Sequence, residues 1–130
     1  MLKPKVPIIV GLLIVTVGAY VATHFGLYDT FPHLDKIFHT AGGMVVAWYF
    51  SVLWEDQLKG FGPFERVLVF MAMGALIGYF WELAEYSTGQ YPLAQFHALH
   101  SYLYGGDVTD TLGDLIADVF GAGLFAILFT

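Results

Sequence analysis

Thr109-Asp110-Thr111-Leu112-Gly113-Asp114-Leu115-Ile116-Ala117-Asp118-Val119-Phe120-Gly121, continuing through Ala122-Gly123-Leu124-Phe125-Ala126-Ile127-Leu128-Phe129, decides how this chain folds. A bilayer is crossed by about 20 mostly apolar residues in helical form, and this run has that length and character. Yet Asp110, Asp114 and Asp118 recur every fourth residue and therefore share one helix face. An ionisable group at mid-depth costs roughly 2.5–3.5 kcal/mol on insertion scales, so such groups turn toward protein or water. This helix needs partners that cover an acidic stripe.

Three further stretches of the same kind precede it: Pro7–Leu27, Leu34–Trp54 and Phe64–Tyr86. With Thr109–Phe129 they predict an all-α integral membrane four-helix transmembrane bundle, a single domain over residues 1–130. Composition agrees. The 130 residues are 58% hydrophobic and 12% charged, with mean hydropathy +0.69, whereas soluble domains carry about 25% charged residues. The formal charge of −6 argues against nucleic acid or anionic lipid held by bulk electrostatics. There is no cysteine, which removes disulfides and thiolate metal sites.

Lysine and arginine set the expected orientation. Lys3 and Lys5 precede the first span, Lys59 and Arg66 flank the loop between the second and third, and only Lys36 lies at the other end. Both termini are expected in the cytoplasm and the acidic end outside it. A competing reading makes Lys3, Lys5, Ile8–Val17 and Gly18-Ala19 a cleaved signal peptide; hydrophobicity continuing to Leu27 favours a span. Cleavage would leave three spans and the same outward cluster. Small residues repeat every fourth position at Gly43-x-x-x-Ala47, Gly74-x-x-x-Gly78 and Gly113-x-x-x-Ala117-x-x-x-Gly121, ridges on which helix backbones approach closely.

Alternating helix direction brings three polar motifs to one membrane face. Asp35-Lys36-Ile37-Phe38-His39 opens the second span, Trp81-Glu82-Leu83-Ala84-Glu85 closes the third, and Asp107-Val108-Thr109-Asp110 opens the fourth. Crowded carboxylates in a poorly solvated pocket cannot all stay ionised without neutralising cations. A divalent metal resolves the excess, and mixed imidazole and carboxylate ligands suit zinc, manganese or iron better than calcium. His39, Glu82, Asp110 and Asp114 are the candidate ligands. Glu85 and Asp35 are the candidate bases or outer ligands. No His-Glu-x-x-His motif and no di-iron Glu-x-x-His pair is present. The plainer readings are a helix cap at Asp107 and an ion pair from Lys36 to Glu82 or Asp114 that ties helices together.

Between Ser87 and Val108, the spacing of Leu93, Phe96, Leu99 or His100, and Leu103 predicts a short amphipathic helix at the membrane interface. His97 and His100 on it are either lid residues or, more plainly, solvated imidazoles.

Asp-Lys-x-x-His-x-x-Gly-Gly at 35–43, Trp-Glu-x-x-Glu at 81–85 and the Asp-rich run from Gly106 to Ala122 resemble the YjdF-like family of small prokaryotic inner-membrane proteins. A looser likeness extends to VanZ-like proteins of the cell envelope. The resemblance covers about residues 34–122 and implies a multi-pass protein of the prokaryotic cytoplasmic membrane. It implies no assigned activity.

Three functions compete. One is metal-dependent hydrolysis or transfer on a lipid or envelope substrate, with Glu85 or Asp35 as base. The second is a proton- or cation-handling transporter component, opposed by the apolar cytoplasmic halves of the second to fourth spans. The third is a structural subunit that binds a partner membrane protein or a second copy of itself. Membrane lipid is the expected surrounding partner in each.

Overall fold

The computed structural model describes residues 4–90 and 107–130, with side chains for all of these except 88–90. Every regular element among the described residues is helical. Helix α1 (Lys5–His24) carries a π turn at Ile14–Gly18. There the Thr16 hydroxyl donates to the Leu12 carbonyl at 2.6 Å, competing with the backbone ladder for that acceptor. Gly26, at φ 60, ends the helix in the left-handed conformation that glycine adopts without strain. The chain then makes one helical turn, α2 (Leu27–Thr30).

Helix α3 (Leu34–Leu53) is followed by the turn α4 (Glu55–Leu58) and the long α5 (Pro63–Gln90). Pro63 opens α5 where a missing N–H costs nothing, and the Glu65 carboxylate accepts from the Gly62 N–H at 2.7 Å. Helix α6 (Val108–Phe129) is capped by Asp107, whose Oδ1 accepts from the N–H groups of Thr109 and Asp110 at 2.9 and 3.0 Å.

These bounds refine the sequence expectations. Helix α1 stops at His24 rather than Leu27 because of Gly26, and α5 continues past Tyr86 to Gln90. The expected interfacial helix, with His97 and His100, lies outside the described residues. Lys5–His24, Pro63–Ser87 and Val108–Phe129 are long and apolar enough to cross a membrane. Helix α3 has 20 residues, a length of about 30 Å at 1.5 Å per residue. Its opening turns hold Asp35, Lys36 and His39, and it is not among those three.

The most extensive packing is α3 on α6, then α5 on α6, then α3 on α5, while α1 joins the trio through α3. At the α3–α6 crossing, a Cβ on Gly43 would overlap the Asp118 backbone, and one on Gly121 would overlap the Thr40 carbonyl. A side chain at either point would force the two helices apart. Toward the far end, Ala47, Phe70, Ala122 and Ala126 form a buried apolar core flanked by Phe50, Trp54 and Phe125. Large apolar side chains cover the outside, among them Leu12, Phe80, Ile116 and Ile127.

Candidate site at the α3–α5–α6 junction

Helices α3, α5 and α6 alternate in direction, so the first turns of α3 and α6 meet the last turns of α5. The opposite end is tied by Arg66, which donates to the Thr130 carbonyl at 3.3 Å. Among the described residues, the buried polar side chains are His39, Glu82, Asp114 and Asp118, between 2% and 8% exposed. All four sit at this junction.

Two basic side chains, Lys36 and His39, organise the carboxylates. Lys36 is the one lysine or arginine between Lys5 and Lys59. Its ammonium donates to Asp110 Oδ1 at 2.5 Å, to Asp114 Oδ1 at 2.7 Å and to Asp35 Oδ2 at 3.4 Å. It does not reach Glu82, one of the two partners expected from sequence. His39 is the second centre. Its Nδ1 lies 3.2 Å from Asp118 Oδ2, and with a carboxylate partner that nitrogen carries the hydrogen. Nε2 then faces Asp114 Oδ1 at 3.6 Å and Glu82 Oε1 at 3.9 Å.

Those last two separations are informative. They exceed hydrogen-bonding distance. They approach the spacing of about 3.4 Å between tetrahedral ligands that each lie about 2.1 Å from a metal. Glu82 Oε1 is buried and has no hydrogen-bond partner among the described residues, while the Thr111 side chain reaches the same carboxylate. A buried acceptor left in this state costs about 1–3 kcal/mol unless something else meets it.

Ligand atoms of Asp35, His39 and Asp114 also lie within 4.8 Å of one another, a spacing that suits a metal ion. The junction thus brings together His39, Glu82, Asp114 and Asp35 from the sequence-derived set. It places Asp110 apart, on Lys36. Glu85 stands one turn beyond Glu82, its Oε1 accepting from the Trp81 indole N–H at 2.7 Å. Asp107 is spent on the α6 cap.

Asp118 was not among the ligands expected from sequence, and it proves central. A metal-binding imidazole commonly donates its other N–H to a carboxylate, which fixes its orientation. Asp118 stands where that partner would be. Its presence on the Asp110–Asp114 face was legible from spacing. Its pairing with His39 was not, because Gly78 creates the space: a Cβ on Gly78 would overlap the Asp118 carboxylate.

Beside this junction, α1, α3 and α5 enclose a cavity of about 690 Å³, with Asp35, His39, Glu85 and Asp118 among its lining and apolar side chains over most of the remainder. Tyr28 borders it, and burial together with the Asp35 and Glu85 carboxylates pushes its phenol above the ordinary value.

Comparison with protein families matches the chain to the family described as "Predicted membrane protein (DUF2238)", over residues 4–130. Comparison with curated proteins and with solved structures finds no match.

Proposed function

The chain belongs to the DUF2238 family of predicted membrane proteins, and from that premise we propose a membrane-embedded divalent-metal site at the α3–α5–α6 junction. The observation that carries this reading is the pair of gaps around His39 Nε2, closed on the far sides by Asp114 Oδ1 and by Glu82 Oε1, which has no hydrogen-bond partner among the described residues. Asp35, His39 and Asp114 hold the ion, with Glu82 completing the set. Zinc, manganese and ferrous iron suit such donors. Asp118 aims the imidazole, and Asp110 shares the Lys36 ammonium with Asp114.

In this reading the chain is a single transmembrane domain in which α3 also crosses, giving four spans with both termini cytoplasmic. The motifs at 35–43, 81–85 and 106–122 resemble those of YjdF-like and, more loosely, VanZ-like proteins, and that resemblance is the support for a prokaryotic inner membrane. Because cysteine is absent, single cysteines report topology cleanly. Asp29→Cys should react with a membrane-impermeant maleimide from outside intact cells, and Asp56→Cys only after permeabilisation. Equal labelling of the two from one side would remove the four-span topology.

A divalent cation held here supplies Lewis-acid polarisation of a carbonyl or phosphoryl oxygen. Glu85, one helical turn from Glu82 and exposed to the cavity, is placed to take a proton from a substrate approaching through the lipid. Hydrolysis or transfer on a lipid-borne envelope substrate is the matching activity.

Purified wild-type protein should carry about one zinc, manganese or iron per chain by elemental analysis, consistent with a single ligand set. His39→Ala and Asp114→Asn should each lower affinity by about 10–100-fold or more, the scale seen even for outer partners of metal sites. Metal content that is absent throughout, or unchanged in both variants, ends this reading.

A second reading has its own support. The Lys36 contacts to Asp110 and Asp114 are those of an ion cluster that locks α3 to α6, sufficient for a structural subunit that binds a partner membrane protein or a second copy. That reading predicts no bound metal and full dependence of assembly on Lys36. Among the described residues, the buried polar side chains all lie at the junction and none in the far half, which disfavours a transport role.

A further inference from the structure

The cavity between α1, α3 and α5 has walls of matched length. It runs from Tyr20 to Gly11 along α1, from Asp35 to Val46 along α3 and from Glu85 to Gly74 along α5. At 1.5 Å per residue each wall is about 14–17 Å long. That is half the hydrocarbon core of about 30 Å, the depth of one leaflet. In each helix the polar end lies at the junction, and the opposite end is walled by glycine and valine. Its volume of about 690 Å³ lies within the roughly 300–1,000 Å³ of sites that enclose a small organic ligand.

The groove is held open by the fold. Helix α1 packs on α3 and not to any extent on α5, so the space between α1 and α5 remains accessible from the side along α3. The π turn lets Ile14, Val15, Thr16 and Val17 all border it; π turns occur disproportionately at functional sites. The polar end is rich in acceptors, with the Asp35, Glu85 and Asp118 carboxylates lining it. Of the donors there, the Trp81 N–H is already engaged by Glu85. An anionic head group would meet like charge. A hydroxyl or ammonium head would supply donors.

We infer that this groove binds one hydrocarbon chain of a single-leaflet amphiphile, with a hydroxyl or ammonium head seated at Asp35 and Glu85. The inference deepens the substrate class of the proposed function. It uses the same cluster but does not require the cation to be bound.

The test is photolabelling of the purified full chain in nanodiscs with a diazirine-bearing long-chain alcohol, before and after chelation. Labelled peptides should map to the groove walls on α1, α3 and α5. Unlabelled long-chain alcohol and primary amine should compete, whereas an alkyl sulfate of the same chain length should compete at least about tenfold less well.

Val15→Trp and Ile77→Trp fill the groove from opposite walls, at positions 42% and 40% exposed that tolerate a larger side chain. Each should reduce labelling about tenfold or more and leave metal content unchanged. Ile8→Trp, equally exposed but outside the groove, should have no effect. Labels spread evenly over all lipid-facing surfaces, an alkyl sulfate that competes as well as the alcohol, or undiminished labelling in both groove variants would each overturn the inference. Loss of metal with labelling intact would remove the metal reading alone.

Discussion

Lys36→Met should destabilise the detergent-solubilised protein by about 3 kcal/mol, the lower end of the range for removing one partner from a buried ion pair. The reason is asymmetry. The Lys36 side chain is about a third exposed, whereas Asp114 is 3% exposed and has Lys36 at 2.7 Å. Removing the ammonium leaves Asp114 desolvated beside Asp35, with only the imidazole near it. Asp110 suffers less, because its side chain is 43% exposed and water can replace the lost donor. The double variant Lys36→Met/Asp114→Asn should therefore regain much of the loss, and Lys36→Met/Asp110→Asn little of it. Thermal unfolding measured by circular dichroism in one detergent checks both. A single variant as stable as wild type would show that α3 and α6 are not joined through this cluster.

Gly43→Ala should disrupt the junction to a comparable extent. The added Cβ overlaps the backbone of Asp118 rather than the movable end of a side chain. Relief requires α3 and α6 to separate, which opens the closest crossing in the bundle. Overpacking of a tight core costs about 1–3 kcal/mol and occasionally more, and a clash with backbone belongs at the upper end. Separation also moves Asp118 away from His39, so metal content should fall together with stability. Gly60→Ala is the control, since nothing lies within 4 Å of a Cβ there. Size-exclusion profiles and unfolding midpoints that match between the two variants would contradict the crossing.

Much of this was readable from residues alone, and the limits are physical. The helical class and the meeting of three polar motifs follow from apolar run length and from helix direction, neither of which depends on side-chain detail. The periodicity of Asp110, Asp114 and Asp118 gave their common face. It could not divide their roles. That division rests on depth along α6. Asp110, near the helix start, meets the long reach of Lys36; Asp114, one turn in, stands between Lys36 and His39; Asp118, a further turn in, meets His39 opposite Gly78. The π turn in α1 left no trace in the hydropathy pattern, since Ile14–Gly18 is as apolar as its surroundings apart from Thr16. The groove was equally hidden, because it arises from α1 packing on α3 while standing off α5, a tertiary choice that amphipathic periodicity does not encode. Helix α3 shows the reverse effect. The residues that make its first turns chemically interesting are those that weaken its appearance as a span.

The proposed cation is shared by His39 Nε2, Asp114, Asp35 and Glu82. Anomalous diffraction from crystals of the zinc-loaded protein, collected on both sides of the zinc edge, tests it most directly. One peak about 2.0–2.1 Å from His39 Nε2, with carboxylate oxygens at about 2.0–2.2 Å, is the predicted result. A map without a peak at this junction, with Lys36 still bonded to Asp114 and Glu82 turned away from the imidazole, would contradict it.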